Sequence, residues 1–166
     1  MRKISAVVAL LLLVPGCAAE RSDLTAAGLG KPELAVTFPS EVAPGSTHTA
    51  KLEVSNPGPG HMDVVRVTFV LVGPGPDQDE LPRPLILGGV SDETGEIVSV
   101  TPEPTAVSGD GLVYSFAGLG EDEAATISFG IRVPKIAGAF ANSVQVYDGK
   151  DLERLRGVRL DTLVRR

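Results

Sequence analysis

Side chains able to do chemistry are few here: one cysteine, Cys17, and two histidines, His48 and His61, in 166 residues. Nucleophilic catalysis needs a base within reach of the nucleophile. A zinc or copper centre needs several nitrogen or sulfur ligands converging on one point. Neither histidine lies in such a pattern; both fall in polar, turn-rich segments at the ends of extended runs. Carboxylates are more plentiful. Asp77-Gln78-Asp79-Glu80, Glu121-Asp122-Glu123 and Asp148-Gly149-Lys150-Asp151 gather them at close spacing, and calcium takes six to eight oxygen ligands from such loops. None follows the calcium-loop spacing, and Lys150 interrupts the third, so they read as solvated loop charge. The G-x-S-x-G, H-E-x-x-H and Gly-Lys-Ser phosphate-loop patterns do not occur. With no tryptophan and only Tyr114 and Tyr147 as tyrosines, a stacking platform for sugar rings is hard to build. The expectation is no enzyme, no metal and no cofactor. Were an ion to bind, Asp148 with Asp151 or Asp77 with Asp79 would be the first candidates for calcium, and His48 with His61 for copper.

Cys17 has a different context. Arg2 and Lys3 open the chain, the apolar run Ile4–Val14 follows, and Pro15-Gly16-Cys17 closes it. A basic start, a short apolar core and a small residue before the cut are the parts of an export signal. The run is too short to span a bilayer as a helix, which needs about 20 residues. The ending Val14-Pro15-Gly16-Cys17 resembles the lipobox of bacterial lipoproteins, although Leu is usual where Val14 stands. That resemblance implies that the Cys17 thiol is diacylated, that residues 1–16 are removed, and that the protein sits on the extracytoplasmic face of the bacterial cell membrane. The membrane is then a partner through the acyl chains on Cys17.

Charge narrows the other partners. Arg2 and Lys3 leave with the signal, so 13 basic residues face 21 acidic ones, a net charge of −8. Such an exterior argues against nucleic acid, whose binding rests on phosphate neutralisation, and against adsorption to anionic lipid through charge. A single cysteine allows no intrachain disulfide. The 150 residues left after removal of 16 must therefore rely on one ordinary hydrophobic core.

The elements that would position these residues are extended. Residues 17–32 show no apolar period and read as a flexible tether, with the folded domain over 33–166. There Leu34, Val36 and Phe38 alternate with smaller or polar residues, as do Ala50, Leu52 and Val54, then Val65, Val67, Phe69 and Leu71, then Ile127, Phe129, Ile131 and Val133. Period two marks half-buried strands, because successive side chains point to opposite faces. In Val64–Leu71, Arg66 and Thr68 mark the outward face. Shorter candidates are Ile97–Thr101, Leu112–Phe116, Asn142–Tyr147 and Val158–Val164. Pro44-Gly45, Asn56 to Gly60, Asp110-Gly111 and Asp148-Gly149 supply turns, the third as a hairpin into the Leu112 run. Gly73–Pro84, rich in proline and acid, reads as an exposed loop, and Asp151–Arg156 as one helical turn. Seven or eight short strands separated by turns imply an all-β, antiparallel β-sandwich.

Two stretches carry a resemblance. Val42-Ala43-Pro44-Gly45-Ser46 followed by Ala50-Lys51-Leu52-Glu53-Val54-Ser55-Asn56-Pro57-Gly58-Pro59 resembles the start of the immunoglobulin-like repeats of bacterial surface proteins, the conserved-repeat and cell-adhesion-related domains. Leu119-Gly120-Glu121-Asp122-Glu123-Ala124-Ala125-Thr126-Ile127 and Ala137-Gly138-Ala139-Phe140-Ala141-Asn142-Ser143-Val144-Gln145-Val146 are similar to that group's later strands. The resemblance implies one immunoglobulin-like sandwich acting as a surface binding or structural module for a protein partner. Only one copy is present, and residues 73–96 form a longer connection than such repeats carry. The alternative is an accessory module that binds a small ligand or metal for a transporter or envelope enzyme. A weaker likeness of Val36–Val54 to exported copper-handling sandwiches lacks the tryptophan that those domains rely on.

Overall fold

The computed structural model describes residues 30–72, 82–89, 92–149 and 151–166. The signal, Cys17, nearly all of the tether, most of the Gly73–Pro84 loop with Asp77, Asp79 and Glu80, and Lys150 lie outside the described residues.

Eleven strands make up the described chain: β1 (Glu33–Thr37), β2 (Glu41–Val42), β3 (Thr47–Asn56), β4 (Met62–Val70), β5 (Arg83–Pro84), β6 (Glu96–Thr101), β7 (Ala106–Ser108), β8 (Val113–Leu119), β9 (Glu123–Arg132), β10 (Gly138–Asp148) and β11 (Asp151–Val164). Eight of them have five residues or more, which covers the expected strands. One sheet has the order β1-β3-β9-β6 and the other β2-β11-β10-β4-β8-β7, with β5 added beside β10. The first order is that of the A-B-E-D sheet of an immunoglobulin domain, and β4-β10-β11 repeats its C-F-G neighbours. The fold is an all-β, immunoglobulin-like sandwich. Its departure is the β7–β8 hairpin, which leaves β6 and joins the opposite sheet beside β4.

Alternation places the core. Ala50, Leu52 and Val54 of β3 meet Val65, Val67 and Phe69 of β4, all buried, with Ile127, Phe129 and Ile131 of β9. Phe129 is the centre: the rings of Phe69 and Tyr114 stand edge-on to it at 5.0 Å, and Phe116 at 6.3 Å. Such pairs add about 0.5–1.5 kcal/mol each beyond the area they bury.

Several expectations need correction. Asp151–Arg156 is not a helical turn but the start of β11, paired with β10 from Asp148↔Asp151 and again at Val146↔Arg156. Gly149, at φ 51°, turns the chain straight back on β10; pairing with a buried neighbour outweighs the weak helical propensity of a charged hexapeptide. Leu71 lies past the end of β4 and is 61% exposed, so the core face of that run ends at Phe69. The sheets are not wholly antiparallel: β2 pairs parallel with β11, and β5 with β10. The Asp110-Gly111 hairpin is present, with positive φ at Gly109, Asp110 and Gly111, and it joins β8 to a strand, β7, that is too short for periodicity to reveal.

The chain enters the sandwich at one end, here the near pole. Gly30 N–H donates to the His61 carbonyl and Lys31 N–H to Asn56 Oδ1. The turns after β3, β8 and β10 share this pole. The far pole carries the β2–β3 and β9–β10 connections, the chain after β4, and the C-terminus.

Candidate functional site

His48 and His61 do not come together; Asp148 and Asp151 face each other across the β10–β11 turn, and Asp77 and Asp79 lie outside the described residues. His48 lies near the start of β3 at the far pole, its Nε2 2.8 Å from Ser46 Oγ and its ring edge-on to Phe38. His61 is at the near pole, its Nε2 2.8 Å from Asp63 Oδ1, both side chains well exposed. The run of β3 from His48 to Asn56, about 26 Å at strand rise, separates these neighbourhoods. The carboxylates are engaged locally. Asp148 is buried and its Oδ1 accepts Val64 N–H at 3.1 Å. Asp151 Oδ1 accepts Glu153 N–H at 3.0 Å, and Glu123 Oε2 accepts Gly120 N–H at 2.7 Å. Among the described residues no three His, Cys, Asp or Glu side chains are grouped to hold a metal. Lys51 beside Glu53 lowers that exposed carboxyl, and burial raises the Tyr114 phenol, which donates to the Gly111 carbonyl at 2.7 Å.

The residues that carried the family resemblance are structural. Asn56 is fully buried. Its Nδ2 donates to the carbonyls of Gly60, Leu119 and Gly120 at 2.9, 3.2 and 3.0 Å, while its Oδ1 accepts the N–H groups of Lys31 and Gly58 at 3.0 and 3.3 Å. Asn142, equally buried, does the same at the other end. Its Oδ1 accepts Ile86 N–H at 2.7 Å, and its Nδ2 donates to the Ile86 and Val70 carbonyls at 3.1 and 3.2 Å. It thus ties Val70, at the start of the long connection between β4 and β6, to Ile86 within it.

What remains open is surface. At the far pole Leu71, Val72, Pro82, Arg83, Pro84, Leu87 and Ala141 line an open depression of about 370 Å³. Leu71 and Leu87 are 61% and 43% exposed there. Ala141 belongs to the outward register of β10, so the depression continues onto the outer face of the seven-stranded sheet. The unusual length of the 73–96 connection leaves room for a partner site in this region, but no sequence pattern marks its apolar side chains, because Leu71 reads as core and its neighbours as loop.

No protein-family description and no curated relative matches the chain. Among solved structures it is similar to AvmM, described as catalysing macrocyclisation in alchivemycin A biosynthesis (12% identity, TM-score 0.47, covering 81% of this chain and 89% of that one). It is also similar to PapD-like domain 7 of human CEP192 (15%, 0.40, 99% and 95%) and to the human F-spondin reeler domain (10%, 0.41, 83% and 91%). Likenesses this remote say nothing about activity.

Proposed function

We propose that this chain is a non-enzymatic, lipid-anchored module on the extracytoplasmic face of a bacterial membrane, displaying an immunoglobulin-like sandwich to a protein partner. The observation that carries the reading is the direction of the chain. It enters at the near pole through Gly30 and Lys31, while the exposed apolar side chains Leu71 and Leu87 lie at the far pole. A chain held at Cys17 would keep its near pole toward the membrane and leave the far pole and the sheet faces open. Two or three acyl chains hold a protein stably, where a single one gives only marginal binding.

The test is one sulfur. With Cys17→Ser, incorporation of a fatty-acid analogue and partition into detergent are expected to be lost, and the precursor should remain uncut. Equal labelling of the wild-type and variant chains would sink the anchoring.

A further inference from the structure

The outer face of the seven-stranded sheet has an unusual charge distribution. On the outward positions of β4, β7, β8 and β10, Arg66 is the only charged side chain, and β11 beside them adds Arg159 and Asp161, which pair with each other. Arg66 stands at mid-strand, with Tyr147 of β10 opposite on one side and Ser115 of β8 on the other. Tyr147 is only 9% exposed although it points away from the core, and its Oη lies 3.2 Å from Thr68 Oγ1. Arg66 itself is half-buried; its Nε–H is shut from water and finds no acceptor. Among the described residues no ion pair includes it.

An orphaned donor on a cation is costly, since water is lost and nothing replaces it. The fold has no use for the charge here, because a neutral side chain would cover the sheet without that loss. An unpaired arginine beside a tyrosine, on a half-buried stretch of sheet whose neighbouring charges on β11, Arg159 and Asp161, are paired with each other, has instead the make-up of an interface centre, where Arg and Tyr carry much of the binding energy.

We propose that this face, centred on Arg66 and Tyr147, docks a partner protein segment that presents a single carboxylate among uncharged side chains. The planar guanidinium fork matches a carboxylate with two parallel hydrogen bonds, and turning outward to make them would engage the orphaned Nε–H. The single positive charge of Arg66 balances one carboxylate and leaves a phosphate dianion undercompensated. The depression reached through Ala141, apolar but for Arg83, would take neighbouring side chains of the same segment. The proposal rests on the reading of the chain as a binding module and is independent of the anchor.

The experiment uses the full-length ¹⁵N-labelled chain and three probe peptides: acetyl-Ala-Leu-Asp-Leu-Ala-amide and its Asn and phosphoserine counterparts. The Asp peptide is expected to shift the Arg66 Nε–H and the Tyr147 amide resonances saturably, with affinity at least about tenfold above that of the Asn peptide. Arg66→Gln should remove that preference. No saturable response, equal response to Asp and Asn, or an unchanged preference in Arg66→Gln would overturn the proposal; tighter binding of phosphoserine than of Asp would overturn the carboxylate assignment. Arg66→Met supplies a second readout. An unchanged or raised Tm supports a side chain kept for binding, and a fall of several degrees would assign Arg66 to the fold and overturn the proposal. Fatty-acid labelling at Cys17 reports separately on the anchor.

Discussion

Both asparagines of the chain, Asn56 and Asn142, are buried clamps, one at each end of the sandwich. Each uses its amide on both sides, donor and acceptor, so no other side chain of that size can replace it. Truncation of Asn56 would take a partner from the Leu119 carbonyl and from the Gly58 N–H together, while the Gly120 carbonyl keeps the Glu123 N–H, and each buried unsatisfied group costs about 1–3 kcal/mol. Asn56→Ala and Asn142→Ala are therefore each expected to cost about 3 kcal/mol in denaturant unfolding. Asn56→Asp should cost at least as much despite its matching shape, because a carboxylate would face three carbonyl oxygens. By contrast, His61→Ala removes only an exposed contact with Asp63 and should change stability by about 0.5 kcal/mol or less. A wild-type midpoint for Asn142→Ala would show that the clamp on Ile86 and Val70 does not support the fold.

At the scale of strands, alternation was legible wherever one face is buried. Val65, Val67 and Phe69 are all 2% exposed or less, while Arg66 and Thr68 between them are half-buried on the outer face. Val67→Asp should lower stability by about 4 kcal/mol by burying an unpaired charge. Thr68→Asp should cost about 1 kcal/mol or less, through the lost contact with Tyr147. Similar melting temperatures for the two variants would refute the register. What stayed hidden has a common physical cause. β2, β5 and β7 are two or three residues long and carry no period; they exist because a neighbouring strand offers its edge. The start of β11 is decided by its hairpin with β10 rather than by its own residues. Arg66 could be assigned to the outward face from its position in Val64–Leu71, but its lack of a partner depends on what β8 and β10 place beside it. Leu71 matched the period and missed the core because β4 ends before it.

For the whole molecule, the near pole gathers carboxylates: Glu121, Asp122 and Glu123 follow β8, and Asp148 and Asp151 flank the β10–β11 turn. Those of Glu123, Asp148 and Asp151 already accept backbone N–H groups. An ion that bound only the folded chain would raise Tm, by an amount that grows with the logarithm of its concentration relative to Kd. Thermal unfolding with calcium, zinc or copper is expected to show no saturable stabilisation. A chelator-reversible rise with calcium would direct mutation to Asp148 and Asp151, and one with copper to His48 and His61; either would favour the accessory ligand-binding module. If Cys17 is the anchor, residues 17–29 permit up to about 45 Å between membrane and sandwich, since an extended chain spans at most about 3.5 Å per residue.

The first strand has a mechanical consequence. β1 runs from the near pole toward the far pole, held to β3 along five antiparallel pairs, and the chain then crosses to the other sheet, where β2 lies parallel to β11. A pull applied to the incoming chain and resisted at the far pole acts along β1 rather than across it. The hydrogen bonds between β1 and β3 are then loaded together, in shear, and must fail as a group; a strand peeled sideways would lose them one at a time. The side-chain bond from Thr162 to the Pro39 carbonyl ties the crossing between the sheets to β11 and shares that load. A sandwich strung between a surface and a partner would thus resist tension at the point where its chain enters the fold.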